Sequence, residues 1–316
     1  MRDKAGNEAR VGVRLDESSE TLGEDGFRLA GAAVCVVGAG LMGGSVVLGL
    51  RGRVAGIGIV EASQAVCEQA TDRGFADWAG SDLTMAARAD LVIVATPVRT
   101  LIRQVGELGR ILRPGAILID LGSVKEPVVA AMNRLPDGIG AVGGHPMCGK
   151  EVSGFAHADG GLYHGARFVL CRTERTTPAA WSAAGQLVEA LGATPVEIDP
   201  ARHDTVVAAI SHLPYLVASA LALAAGDEAK LDDSAWRLAS TGFKDTSRLA
   251  GSDVTMMADI LLENKAAVLG AIQAAENHLA TLRELIETGD VARLRFTLEA
   301  ARSARLDWEQ LRKQGS

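Results

Sequence analysis

Five apolar, strand-like runs divide the first half of the chain at helix-length intervals, over residues 33–37, 55–60, 90–95, 116–120 and 139–142. That alternation predicts an α/β domain built on a doubly wound, mostly parallel sheet. Such a sheet gathers the carboxyl ends of its strands along one edge, and ligands bind beyond that edge. Each run here ends in a residue with chemistry to offer: Gly38, Glu61, Thr96, Ser123 and His145. The spacing predicts a nucleotide site and a reactive site side by side.

The nucleotide site is read from Val34-Cys35-Val36-Val37-Gly38-Ala39-Gly40-Leu41-Met42-Gly43, a strand, a glycine turn and a helix start. Gly38 permits the tight turn, Gly40 lets backbone approach a pyrophosphate, and Gly43 lets the helix pack on the strand. Free amides at the helix start, around Leu41 and Met42, face the phosphates. The acid eighteen positions after Gly43 is Glu61, placed to accept hydrogen bonds from the adenosine ribose, with a solvated loop acid as the alternative. Ala62 and Ser63 follow it with no cation to pair with a ribose phosphate, so NAD is favoured over NADP. Thr96-Pro97 closes the next strand where the nicotinamide half belongs, and Pro97 equally suits the start of a helix. The fold expected is of Rossmann type.

At 316 residues the chain is long enough for two domains. A strand near 166–172, a helix near 178–191 and a strand near 194–198 continue the α/β pattern, and Pro200 marks a change to helical spacing alone. The boundaries read are a flexible tail over 1–29, a nucleotide-binding domain over 30–199, and an all-α dimerisation and substrate domain over 200–316. Within the last, 254–287 places Met257, Ile260, Leu261, Val268, Ile272, Leu279, Leu282 and Ile286 along one side of a long helix, ended by Gly289. Asp290 caps the helix that follows toward Leu311. Long apolar faces of this kind predict a homodimer. Residues 205–226 contain no Asp, Glu, Lys or Arg and are long enough to span a bilayer. With His212 and Pro214 inside them, they read instead as a helix buried at a domain or subunit interface.

A net charge of −7 and the lack of a Lys/Arg run argue against a nucleic-acid partner, while small anions need only local basic residues. The polar first 28 residues contain no apolar signal stretch, and the four cysteines have no paired spacing, so a cytoplasmic protein with reduced thiols is expected. No metal site and no membrane partner are read.

Asp120-Leu121-Gly122-Ser123-Val124-Lys125, Gly143-Gly144-His145-Pro146-Met147-Cys148-Gly149-Lys150-Glu151, His203-Asp204, Ser211-His212-Leu213-Pro214 and Gly242-Phe243-Lys244-Asp245-Thr246-Ser247-Arg248 follow one another in the order of a known family. With these segments, the chain from about Val34 to Ala258 resembles the prephenate dehydrogenases, which include arogenate dehydrogenases. The resemblance implies an NAD-binding domain followed by a helical dimerisation domain, a small anionic cyclohexadiene substrate in the cleft between them, and oxidative decarboxylation in tyrosine biosynthesis. It also implies that His145 takes a hydrogen bond from the ring hydroxyl as hydride leaves, a task suited to imidazole. Ser123 would orient His145 or the nicotinamide, and it also suits the cap of a helix beginning near Val124. Arg248 would clamp a carboxylate, with a surface ion pair to Asp245 as its alternative. Lys125 would approach the polar end of the substrate or stay solvated in a first helical turn, and Glu151 would help close the pocket. His212 and Tyr215 fall in the substrate region, His212 with a structural hydrogen-bonding role favoured.

The substrate side is where the pattern departs. Tyr215 stands where many prephenate-using members carry histidine, Ser240-Thr241 where many have glycines, and Met257 where tryptophan is common. Arogenate and a 4-amino relative of prephenate therefore stay open as substrates. A β-hydroxyacid-type dehydrogenase and a non-catalytic nucleotide sensor are the competing classes. The first usually depends on a lysine from its helical domain and does not have the His145–Gly149 segment as its signature, and the second has no need of Ser123, His145 and Arg248 together.

Overall fold

The computed structural model describes residues 26–149 and 152–314. They form two compact units, one of the residues up to Thr96 with Thr100–Pro200, the other of Pro97–Arg99 with the residues from Ala201 onward.

In chain order, the first unit comprises β1 (Ala33–Val37), α1 (Leu41–Leu50), β2 (Gly56–Val60), α2 (Gln64–Asp72), β3 (Trp78–Gly80), β4 (Leu91–Val94), α3 (Val98–Leu108), β5 (Ile117–Asp120), α4 (Glu126–Met132), β6 (Gly140–Pro146), β7 (Arg167–Arg172), α5 (Pro178–Ala190) and β8 (Thr194–Glu197). The strands make one sheet in the order β3-β2-β1-β4-β5-β6-β7-β8. Every neighbouring pair is parallel except β6 with β7. β4 and β5 are buried along their whole length, as strands covered on both faces must be, which is why they read as unbroken apolar runs. The order reverses between β1 and β4, the switch point at which such sheets open a crevice for ligand.

Three sequence expectations shift here. β6 continues past residue 142 to Pro146, because β7 pairs antiparallel with it from Val142 to Pro146 and supplies the backbone partners that β5 no longer offers. His145 is thus inside the strand, opposite Val169. The short edge strand β3 was not foreseen. The expected tail ends before residue 29: Gln186 Nε2 donates to the Phe27 carbonyl (2.6 Å), Gln186 Oε1 accepts from the Leu29 N–H (2.9 Å), and Leu29 is buried. The segment before residue 26 lies outside the described residues.

The second unit is helical: α6 (Pro200–Val207), α7 (Leu213–Leu231), α8 (Ser234–Leu238), α9 (Thr241–Ser247), α10 (Val254–Glu263), α11 (Lys265–Thr288) and α12 (Val291–Gln314). A wider π-turn over Ala208–His212 joins α6 to α7. Pro214 lacks the N–H that residue 210 would otherwise receive, and the looser turn absorbs that loss. The continuous run Pro200–Leu231 is long and apolar enough to cross a membrane, yet only 22% of its most apolar stretch is buried in the chain. Its expected burial is therefore not met within a single copy, where Leu223 is 71% exposed.

The helix expected over 254–287 is broken. Asn264 leaves helical geometry (φ −108°, ψ 31°) between α10 and α11. Its side chain donates to the Asp204 carbonyl (2.8 Å) and lies 3.2 Å from His212 Nδ1. Gly289 ends α11 in the left-handed region (φ 67°), and Asp290 Oδ1 accepts from the Arg293 N–H (3.1 Å) at the start of α12.

Candidate active site

The glycine turn after β1 is built as its spacing requires. Gly38 has φ 90°, and a Cβ there would stand 2.6 Å from Thr96 Cγ2. A Cβ on Gly43 would overlap the Gly38 carbonyl. Gly40 faces open space and caps α1 without any side-chain hydrogen bond. That leaves a cradle in which the amides around Leu41 and Met42 can meet a pyrophosphate, so these residues fit a dinucleotide. Glu61 is more than a solvated loop acid. Its Oε2 accepts from the Ala39 N–H (2.8 Å) and its Oε1 from the Ser63 N–H (3.0 Å), tying the end of β2 to the turn. Thr96, just past β4, donates through Oγ1 to Gln104 Oε1 (2.6 Å), and exposed Pro97 immediately precedes α3.

Farther along the same edge, β5 ends at Asp120 and β6 carries His145, which is half-buried. Ser123 lies in the loop between β5 and α4, also half-buried, but it does not cap the helix. α4 begins at Glu126, with Lys125 in the cap position. Lys125 itself contradicts the sequence expectation. Its side chain is 0% exposed, ion-paired with the equally buried Asp120, and donates to the Gly144 carbonyl (2.6 Å). A lysine so enclosed neither reaches a substrate nor sits in solvent. The neighbouring Cys148 is half-buried, and burial pushes its thiol up to about 11, which favours packing over nucleophilic chemistry.

Sequence reasoning missed the residues that attach this region to α1. The Tyr163 hydroxyl donates to the Met42 carbonyl (2.7 Å), the Asp159 N–H donates to Ser45 Oγ (3.0 Å), and Phe155 lies so close to Gly44 that a Cβ there would come within 2.7 Å of its ring. The chain leaving the His145 strand is thereby packed on the helix of the glycine turn. The second glycine of Gly43-Gly44 was the one available signal, since the dinucleotide pattern does not require it.

In the second unit, Arg248 is exposed where α9 ends, and Tyr215 is half-buried in the first turn of α7. His212 is 2% exposed and engaged with Asn264, so a place inside the helical unit replaces its reading as a substrate contact. Burial drives its pKa down to about 4, against the opposing pull of Asp204 and with a smaller push from His203. Glu151 lies outside the described residues.

Residues 48–197 match the model of the prephenate dehydrogenase nucleotide-binding domain, and residues 199–300 that of the prephenate dehydrogenase dimerization domain. A prephenate dehydrogenase of Bacillus subtilis is 32% identical over 291 residues, spanning 90% of this chain and 77% of that protein. The chain belongs to the prephenate dehydrogenase family. Among solved structures, Synechocystis arogenate dehydrogenase is 34% identical with a TM-score of 0.76, covering 87% of this chain and 99% of the other. Prephenate dehydrogenase from A. aeolicus, solved with hydroxyphenyl propionate and NAD+, is 31% identical with a TM-score of 0.76 over 87% and 97%. The protein is an NAD-dependent oxidoreductase with a Rossmann-type domain followed by a helical one.

Proposed function

We propose that this protein oxidises prephenate to 4-hydroxyphenylpyruvate with loss of the ring carboxylate as carbon dioxide, a step of tyrosine biosynthesis. The observation that carries the reading is His145, half-buried near the end of β6 on the sheet edge that holds the glycine turn. Its imidazole accepts a hydrogen bond from the 4-hydroxyl and polarises it as hydride leaves ring carbon 4, and the product phenol keeps that proton. NAD, when bound, accepts the hydride. Ser123 orients the imidazole or the nicotinamide by hydrogen bonding. Arg248 clamps a substrate carboxylate with its planar donor fork. The active form is a homodimer joined through the helical unit, as the dimerization-domain match supports, and it works in the cytoplasm.

A second reading, arogenate as substrate, is favoured by Tyr215, which carries no positive charge near neutral pH where many prephenate-using relatives have histidine. The test follows absorbance of reduced nicotinamide and release of carbon dioxide with prephenate, arogenate and 4-amino-4-deoxyprephenate in turn. The substrate with the highest kcat/KM identifies the side chain read, and no turnover with any of them would refute the assignment. His145→Asn is expected to slow turnover by about 10²- to 10⁴-fold while NAD still binds.

A further inference from the structure

Backbone pairing between β5 and β6 ends at Ile119 opposite Val142. Two residues farther on, both backbone groups of Gly144 are still held from the β5 side, by side chains. The Gly144 N–H donates to Asp120 Oδ1 (2.9 Å), and its carbonyl accepts from Lys125 Nζ (2.6 Å). Asp120 Oδ2 takes the Gly122 N–H (2.7 Å) and the Lys125 ammonium. On its other side Gly144 pairs with Leu170 of β7. A Cβ on Gly144 would overlap the Asp120 carbonyl, so the two segments approach as closely as backbone allows.

We infer that the buried Asp120–Lys125 pair is a positioning device. It extends the β5–β6 ladder one step with side chains, and so fixes the backbone immediately before His145. A fully buried ion pair is weak as a stabiliser, since apolar residues of similar volume often do as well. What such a pair supplies here is direction, because one carboxylate bonds the Gly122 and Gly144 amides together. Neither residue touches substrate. Displacing a reacting group by about 1 Å lowers rates by up to about 10²-fold.

The inference rests on His145 being the group that polarises the ring hydroxyl, and the experiment separates the two. Asp120→Asn combined with Lys125→Met leaves no lone buried charge. In that protein kcat with the best substrate is expected to fall by roughly 10- to 100-fold. NAD affinity, by calorimetric titration, should stay within about twofold, because the Gly38–Gly43 turn is untouched. The same pair of changes in a His145→Asn background should alter kcat by less than about twofold, since a device acting through His145 has nothing left to position. Unchanged kcat in the folded double variant overturns the inference. So does an equal loss in the His145→Asn background, which would mark a general structural fault. Full activity of His145→Asn alone would instead remove the reading on which this one rests. Should the first double variant not fold, Asp120→Asn with Lys125→Gln, which keeps a donor and an acceptor in place, is judged by the same criteria.

Discussion

His212 lies in an environment at odds with what its side chain prefers. Its ordinary pKa is near 6.5, and burial lowers it to about 4 in the fold. Between those values the unfolded chain binds a proton that the folded chain refuses. Stability from this group is therefore complete above about pH 6.5 and drains away as pH falls toward 4. At pH 5 the loss amounts to about 2 kcal/mol. Urea titrations at pH 7.5 and 5.0 should show it, and His212→Gln should lose less over the same interval. Identical losses in the two proteins would mean that the imidazole protonates freely in the fold. The same principle explains why Lys125 misled the sequence reading. A lysine opening a helix is ordinarily solvated, and only the tertiary approach of Asp120 and the Gly144 carbonyl makes its burial tolerable.

The break between α10 and α11 follows from one amide. Apolar spacing over 254–287 fits a single helix, and nothing local forbids Asn264 from continuing it. The competing partners come from about 60 and 52 positions away, Asp204 and His212, and no local pattern can reveal them. Asn264→Ala would leave the buried Asp204 carbonyl and His212 Nδ1 short of a donor, and is expected to destabilise the protein by about 1–3 kcal/mol. Chemical denaturation reads this directly, and a change within error would show that the two acceptors are satisfied elsewhere. The same distinction between local and distant causes runs through the sheet. β1, β4 and β5 were legible because burial on both faces writes a continuous apolar run. The extension of β6 to His145 was not, because it depends on β7 arriving antiparallel from more than twenty residues downstream. The glycine turn and Glu61 were legible because their roles need particular residue types. Tyr163 and Phe155 were not, because any packed segment can contain them.

Among the described residues, much of the apolar surface of the helical unit is exposed. Leu279 is 64% exposed, Ile286 67% and Phe296 78%. Isolated exposed leucines are unremarkable, but Leu279 and Ile286 are seven residues apart and share one face of α11. A net charge of −7 disfavours indiscriminate self-association, so a specific, symmetric contact is the arrangement that removes this surface from water without aggregation. The Pro200–Leu231 run belongs to the same argument, because a subunit interface gives its uncharged faces a partner without invoking a bilayer. Light scattering at micromolar concentration is expected to give twice the 32.9 kDa chain mass. Leu279→Arg with Ile286→Arg places two like charges on each side of a two-fold contact and should shift the mass toward that of one chain. If the doubled mass survives that substitution, the interface lies off this face of α11. If the unmodified protein has the mass of one chain at every concentration, the homodimer is wrong, and the exposed faces need another partner.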